Sequence, residues 1–437
     1  MSEIKAKNGS GGGVKSPSIL MKENLFKLVR FSVFGVPLAG LIPIEGTDVW
    51  YSQFLGLMSL LMIGLSIALW KFNKGFSVFG LVCLFSSMVV ANQSPKSLIT
   101  LIQIYLAFLA IYAISRFEKD QRKALIRAVL VLVSIQGVWV ILQALNLDPI
   151  FNLMGNPNKD DTVGISGSHN QLGLFFAMTA PIVLLNAIYL LPFTLVGLWF
   201  STTATAWIGF VVFLIFWISI KLKSKAAVYL LFFGLMVCLI SGFNRISDIV
   251  KTERFNLWRS SIDQVLSGRA IIKQADLSRL NGKEKIEYIS IKEINCNPLF
   301  GFGLGNFIRI SPHTQEYVTF AHRYEHAHND YVEALFELGI TGFLFLMVMI
   351  GKFLRDFFYA QRTKLLTSVF LAIVVQMVCA MGVYTIQTAI SGMLMILFLG
   401  LFYGELRDQR WEDQNGKIAP VGERTATQLR DLRLVVS

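Results

Sequence analysis

Apolar runs broken by short polar stretches recur along the whole of this chain. Most reach the roughly 18 residues that let a helix cross a bilayer. The pattern predicts about twelve spans, near 27–44, 51–70, 76–92, 97–115, 124–145, 169–187, 188–201, 203–220, 226–243, 331–352, 364–383 and 386–404. The seventh is short enough to belong to a re-entrant pair. Because the runs are continuously apolar rather than alternating, a β-barrel is excluded. The expected fold is an all-α polytopic membrane protein with one long loop between spans nine and ten. The chain divides into a flexible tail (1–24), spans (25–243), the loop with interfacial helices (244–330), spans (331–404) and a second tail (405–437).

The segment from Phe243 to Asp330 is the one sizeable extramembrane body expected. It opens with an amphipathic stretch, Ile246 to Leu266, with Ile249, Phe255, Trp258, Ile262 and Leu266 at helical spacing. Arg269 to Lys292 is strongly charged and expected to be exposed. The loop ends on Asn297-Pro298-Leu299-Phe300-Gly301-Phe302-Gly303-Leu304-Gly305-Asn306-Phe307, a glycine-rich apolar turn that reads as a tight corner against the membrane. After Gly404 the polar tail is expected to be disordered. No internal repeat of the kind that marks many secondary transporters is visible.

Composition agrees with a membrane protein: 54% of residues are hydrophobic and 16% charged, against about 25% charged in a soluble domain. The net charge of +12 does not indicate a nucleic-acid partner, because the basic residues gather in short loops between spans. They lie at Lys5, Lys7, Lys15 and Lys22; Lys71 and Lys74; Arg116, Lys119, Arg122 and Lys123; Lys221, Lys223 and Lys225; and Lys352, Arg355, Arg362 and Lys364. The positive-inside rule then puts both termini in the cytoplasm and the long loop outside, in a bacterium the periplasm. Met1 to Ser18 lacks the features of a cleavable signal, so the first span is expected to stay as an anchor. The cysteines form no CxxC pair and no zinc spacing.

The densest chemistry is His326-Ala327-His328-Asn329-Asp330-Tyr331, where the loop meets the tenth span. An imidazole accepts a proton near neutral pH, so His326 and His328 are candidates for a base that activates a hydroxyl. A plainer reading makes them hydrogen-bond partners at a helix start, which Asn329 is well suited to cap. A metal is not favoured, since no third ligand stands at a recognisable spacing. Glu333 and Glu337 share a helix face and are candidates for orienting roles. Arg254 and Arg259, in the amphipathic stretch, have the fork that grips a diphosphate, or they face lipid phosphates without specificity. His169 and Asn170, at the start of the sixth span, face either a sugar or only a helix cap.

The order of these motifs resembles that of the O-antigen ligase and O-antigen polymerase superfamily of bacterial inner membranes. Gly164 to Gly173 resembles its Gly…Asn motif, and Arg254-Phe255-Asn256-Leu257-Trp258 its Arg-x-x-x-Trp element. Pro298 to Gly305 resembles its Pro-x-x-Gly-x-Gly-x-Gly corner, and His326 to Gly342 its HxHNxYxxxLxExGxxG signature. The resemblance covers roughly residues 160–350 and implies transfer of a glycan from undecaprenyl diphosphate to an acceptor hydroxyl outside the membrane, with neither metal nor cofactor. It implies a lipid A-core acceptor for a ligase, or a lipid-linked glycan for a polymerase. His328 is the favoured base, His326 an orienting or binding group, and Arg254 the neutraliser of the departing diphosphate. The family often carries a Ser-Arg pair where this chain has Thr203-Ala204-Thr205-Ala206-Trp207. Either His169, Arg259 or Arg323 substitutes for that cation, or the donor is held differently, or the protein is inactive.

Two other classes compete. A polysaccharide transporter or flippase would place polar groups near the bilayer midplane, whereas here they gather at one interface. An assembly protein explains the spans but not the clustering of Arg254, His326 and His328.

Overall fold

The computed structural model describes residues 26–27, 30, 95–145, 147, 168–222, 282–307, 326–327, 329–383, 385 and 388–414. Its elements are α1 (Pro95–Ser115), α2 (Lys119–Ala144), α3 (His169–Asn186), a 3-10 turn (Ile188–Leu190), α4 (Leu191–Phe200), α5 (Ala204–Leu222), α6 (Gly282–Ile294), α7 (Asp330–Tyr359), α8 (Lys364–Cys379) and α9 (Ala389–Gln414). The fold is all-helical, with no strand among the described residues. Of these helices, α2, α5, α7 and α9 are long and apolar enough to cross a membrane. The expected spans at 51–70, 76–92 and 226–243, nearly all of 27–44, the stretch Ile246–Leu266 and most of both tails lie outside the described residues. The total of twelve spans falls there too.

Two helices form the centre. In α3 every residue from Leu172 to Val183 is buried, and in α8 so is every residue from Leu366 to Gln376. A helix that is apolar all round belongs inside a bundle. The two pack on each other, with α4 against α3, α5 and α9 against both, α2 against α4, and α1 against α9. Gly400 lets α1 and α9 close, since a Cβ there would lie 2.5 Å from Cβ of Ile114. The bundle's outside is apolar as well. Val131, Ile135 and Val138 on α2, and Ile340, Leu344 and Val348 on α7, are exposed at helical spacing. Such stripes suit lipid, not water.

Three expectations change. The first concerns α7, which is interrupted at Gly339, with φ 64° and ψ −173°. Glu333 and Glu337 therefore sit on a short segment ahead of the break, and the apolar stretch from Ile340 to Tyr359 forms the span proper. Phe353 and Phe357 anchor that stretch by stacking on Phe370 of α8, at 5.3 and 3.6 Å between ring centroids.

The second concerns 282–292, the described part of the charged stretch expected to be exposed. It lies within α6, whose Ile286, Tyr288, Ile289, Ser290 and Glu293 are buried. Ile286 and Ile294 cluster with Ala327, Val332 and Phe336.

The third concerns α9, which continues to Gln414 instead of ending near 404. Its continuation is held by Arg122, a fully buried side chain that bridges Glu405 at 3.1 Å and also pairs with Asp408. Arg122 is thus an internal tie between α2 and α9, not one more solvated loop charge.

Candidate active site

The start of α7 carries the site. Asn329 caps the helix, its Oδ1 accepting from the backbone N–H groups of Tyr331 at 3.1 Å and Val332 at 3.2 Å. The capped turn brings Glu333 back beneath the residues that precede the helix. Oε1 of Glu333 lies 2.9 Å from Nδ1 of His326, and Oε2 accepts the Ala327 N–H at 3.1 Å. The Glu333 side chain is 4% exposed and that of His326 is 23%. A buried carboxylate thus grips one face of an imidazole that is still partly open to the outside. With Glu333 ionised, Nδ1 carries the proton and Nε2 keeps its lone pair.

Neighbouring residues fix this turn to the bundle. The Asp330 carboxylate accepts from both the N–H (2.8 Å) and the hydroxyl (2.7 Å) of Thr385, in the α8–α9 loop. The Asp330 N–H donates to the Ala380 carbonyl at 2.9 Å, and the Tyr331 hydroxyl to the Met377 carbonyl at 2.9 Å. Thr385 in turn accepts through its carbonyl from Thr388 and Ser391. Sequence reasoning passed over Thr385, Thr388 and Ser391. Their signal was a run of hydroxyl residues at the head of a span.

The glycine-rich corner and the break in α7 are one structure. At the break, the carbonyls of Phe336 and Glu337 and the N–H groups of Ile340 and Thr341 lose their helical partners. The corner replaces them all. The N–H groups of Phe302 (2.9 Å) and Gly303 (2.8 Å) donate to the two carbonyls, while Ile340 and Thr341 donate to the carbonyls of Pro298 (2.8 Å) and Leu299 (3.2 Å). At the crossing, a Cβ on Gly301 would lie 2.5 Å from the Gly339 nitrogen, and both residues have left-handed φ. Glu337 faces this corner, its Oε1 accepting the Phe307 N–H at 3.4 Å. Its carboxylate thus contacts the corner, while that of Glu333 contacts the histidine.

At the start of α3, the His169 carbonyl accepts the Thr203 hydroxyl at 3.1 Å, and the Asn170 side chain lies 3.4 Å from the same hydroxyl. Thr205, two residues on, reaches the α8–α9 loop: a Cβ on Gly382 would lie 3.0 Å from its hydroxyl. That loop also holds Asp330, so the His169 and His326 clusters share one end of the bundle. His328, Arg254, Arg259 and Arg323 lie outside the described residues.

Sequence reasoning also missed Glu293. It is buried on the α6 face that packs near Ala327 and Val332, and burial pushes its carboxyl up to about 7. Cys296 beside it is raised by burial and by the Glu293 charge.

The described fold and site define a membrane-embedded helical protein with a polar, carboxylate-supported histidine at one end of its bundle. Residues 188–347 match the family model described as O-antigen ligase. That segment contains the glycine corner, the break and the histidine turn, and the match supports the O-antigen ligase and polymerase superfamily. No curated protein matches it.

Proposed function

We propose that this chain is a glycosyltransferase of the bacterial inner membrane. It moves a glycan from undecaprenyl diphosphate to an acceptor hydroxyl on the periplasmic face, and it works as an O-antigen ligase with lipid A-core as acceptor. The observation that carries this reading is the Glu333–His326 pair, on a segment inside the matched family region. A carboxylate that orients an imidazole is the arrangement by which a hydroxyl is made nucleophilic. The acceptor oxygen attacks the anomeric carbon, its proton passes to Nε2, and the carbon–oxygen bond to the diphosphate breaks. The pairing with Glu333 supports His326 as the base, a role first expected of His328. Arg254 is proposed to neutralise the departing diphosphate and Arg259, His169 and Asn170 to hold the donor, by the motif resemblance alone.

Mass spectrometry of glycolipids in a deletion strain tests the reading. A ligase leaves long polymer on its lipid carrier and core that lacks O-antigen. Accumulation of single lipid-linked repeats would make the chain a polymerase. An unchanged glycolipid profile would remove it from both reactions.

A further inference from the structure

At the other end of the bundle, roughly 24 Å along α9 from Ala389 to Glu405 at 1.5 Å per residue, Arg116, Arg407, Asp408, Arg410, Trp411 and Glu412 line a cleft of about 680 Å³. We propose that this cleft binds the phosphate headgroup of an anionic phospholipid in the leaflet that this end meets.

The charge balance comes first. Both carboxylates nearest the floor are already engaged: Glu405 with Arg122 and the Thr363 hydroxyl, Asp408 with Arg122 and Arg407. Neither Arg116 nor Arg410 pairs with a carboxylate among the described residues. Glu412 is the one acid at the rim with no such ion pair. Of this unpaired positive charge, that of Arg116 is held in place. Arg116 donates to the Tyr112 hydroxyl at 2.9 Å and lies over that ring, 4.9 Å from its centroid. Arg407 is fixed by Asp408 at 2.7 Å and by the Phe117 carbonyl at 3.4 Å. Cations that only signal topology need no such preorganisation.

The position decides between a lipid and a soluble anion. The long apolar run of α9 ends at Gly404, and the arginines follow within two turns. Trp411 is 56% exposed on the same turns, the side chain that prefers the headgroup level. An acyl chain leaving the cleft would meet apolar helix surface directly. Basic pockets between helices at this level are headgroup sites on general grounds.

The test uses the full-length protein in detergent micelles, with phosphatidylglycerol or phosphatidylcholine added and retained lipid counted by native mass spectrometry. Phosphatidylglycerol should be retained preferentially. Arg116→Gln and Arg410→Gln, both at exposed positions, should each reduce its retention roughly fivefold. Lys123→Gln and Arg127→Gln, exposed basic residues of α2 outside the cleft, should not. Equal losses in all four variants, or none in the cleft variants, would overturn the site. If inorganic phosphate at millimolar concentration abolishes the preference, the cleft takes a soluble anion and the lipid assignment fails. Glycan transfer is not the readout, so the result stands apart from the proposed activity.

Discussion

Glu333 holds His326 by its side chain and Ala327 by its backbone, with one carboxylate oxygen on each, at 2.9 and 3.1 Å. The carboxylate therefore sets both the ring's tautomer and the path of the chain that carries it. Glu333→Gln keeps the size but offers only one acceptor oxygen. Transfer should fall on the order of 10²-fold or more, as when the orienting partner of a catalytic histidine is changed. Transfer assayed with a lipid-linked glycan at equal protein level checks this, and near-wild-type transfer would make Glu333 a structural residue only.

The same geometry separates the two histidines. His326→Ala should abolish transfer while donor binding persists, because the ring that Glu333 orients would be gone. His328→Ala should retain measurable turnover. Reversed outcomes would return the base to His328, and two fully active variants would reduce the motif to a helix start.

Gly339 is the crossing point of the two glycine motifs. An alanine there would need a left-handed φ and would bring its Cβ to 2.5 Å from the Gly301 nitrogen. The conformational strain alone is about 1–3 kcal/mol, and the four backbone hydrogen bonds at the break would be disturbed as well. Gly339→Ala should therefore lower the thermal midpoint of the purified protein and its activity together. Gly351→Ala is the control, because a Cβ at Gly351 meets nothing within 4 Å. Equal stability of the two variants would show that the corner does not depend on this approach.

How far the sequence anticipated these features follows from the range of each signal. The helices at 97–115, 124–145 and 203–220 were legible because apolar length is a local property. The break at Gly339 was not. Its cause is a partner more than thirty positions away, the corner that supplies the missing hydrogen bonds, and the stretch reads as helix by itself. The same holds for Arg122. Its position in a basic loop suggested a topology signal, but Glu405 and Asp408 arrive from the far end of the chain. For the site, Asn329 as cap was readable from its place just ahead of the tenth span; the contact of Glu333 with His326 was not, since it depends on how the chain turns into the helix. Thr385 was not, since only the tertiary fold brings it to Asp330.

Arg122 is 0% exposed and its partner Glu405 is 6% exposed, so removal of the guanidinium leaves a carboxylate stranded. Arg122→Met should cost about 3–5 kcal/mol, the range for breaking one side of a buried pair. Adding Glu405→Gln should recover part of that loss, because the charge that lacked a partner is gone. Chemical or thermal unfolding of the two variants measures the difference. A double variant no more stable than the single would mean that Asp408, not Glu405, carries the tie.

Glu293 gives the last prediction. Burial raises its carboxyl from 4.5 to about 7 in the folded protein, so folding favours the neutral form. Below about pH 4.5 both states hold the proton and the folded state gains fully from burying a neutral group. As pH rises toward 7, the unfolded chain ionises first and folding must retain the proton against that preference. The contribution of Glu293 is therefore lost across that window as pH rises, and above it the charged group opposes packing of α6 on the α7 start. Glu293→Gln is neutral at every pH and should flatten this part of the stability profile. Hydrogen exchange of the α6 amides at pH 5 and pH 8 reads it locally. Wild type should exchange faster at pH 8 than the chemical rate alone predicts, and Glu293→Gln should not. An identical excess in the variant would assign the pH sensitivity to another group.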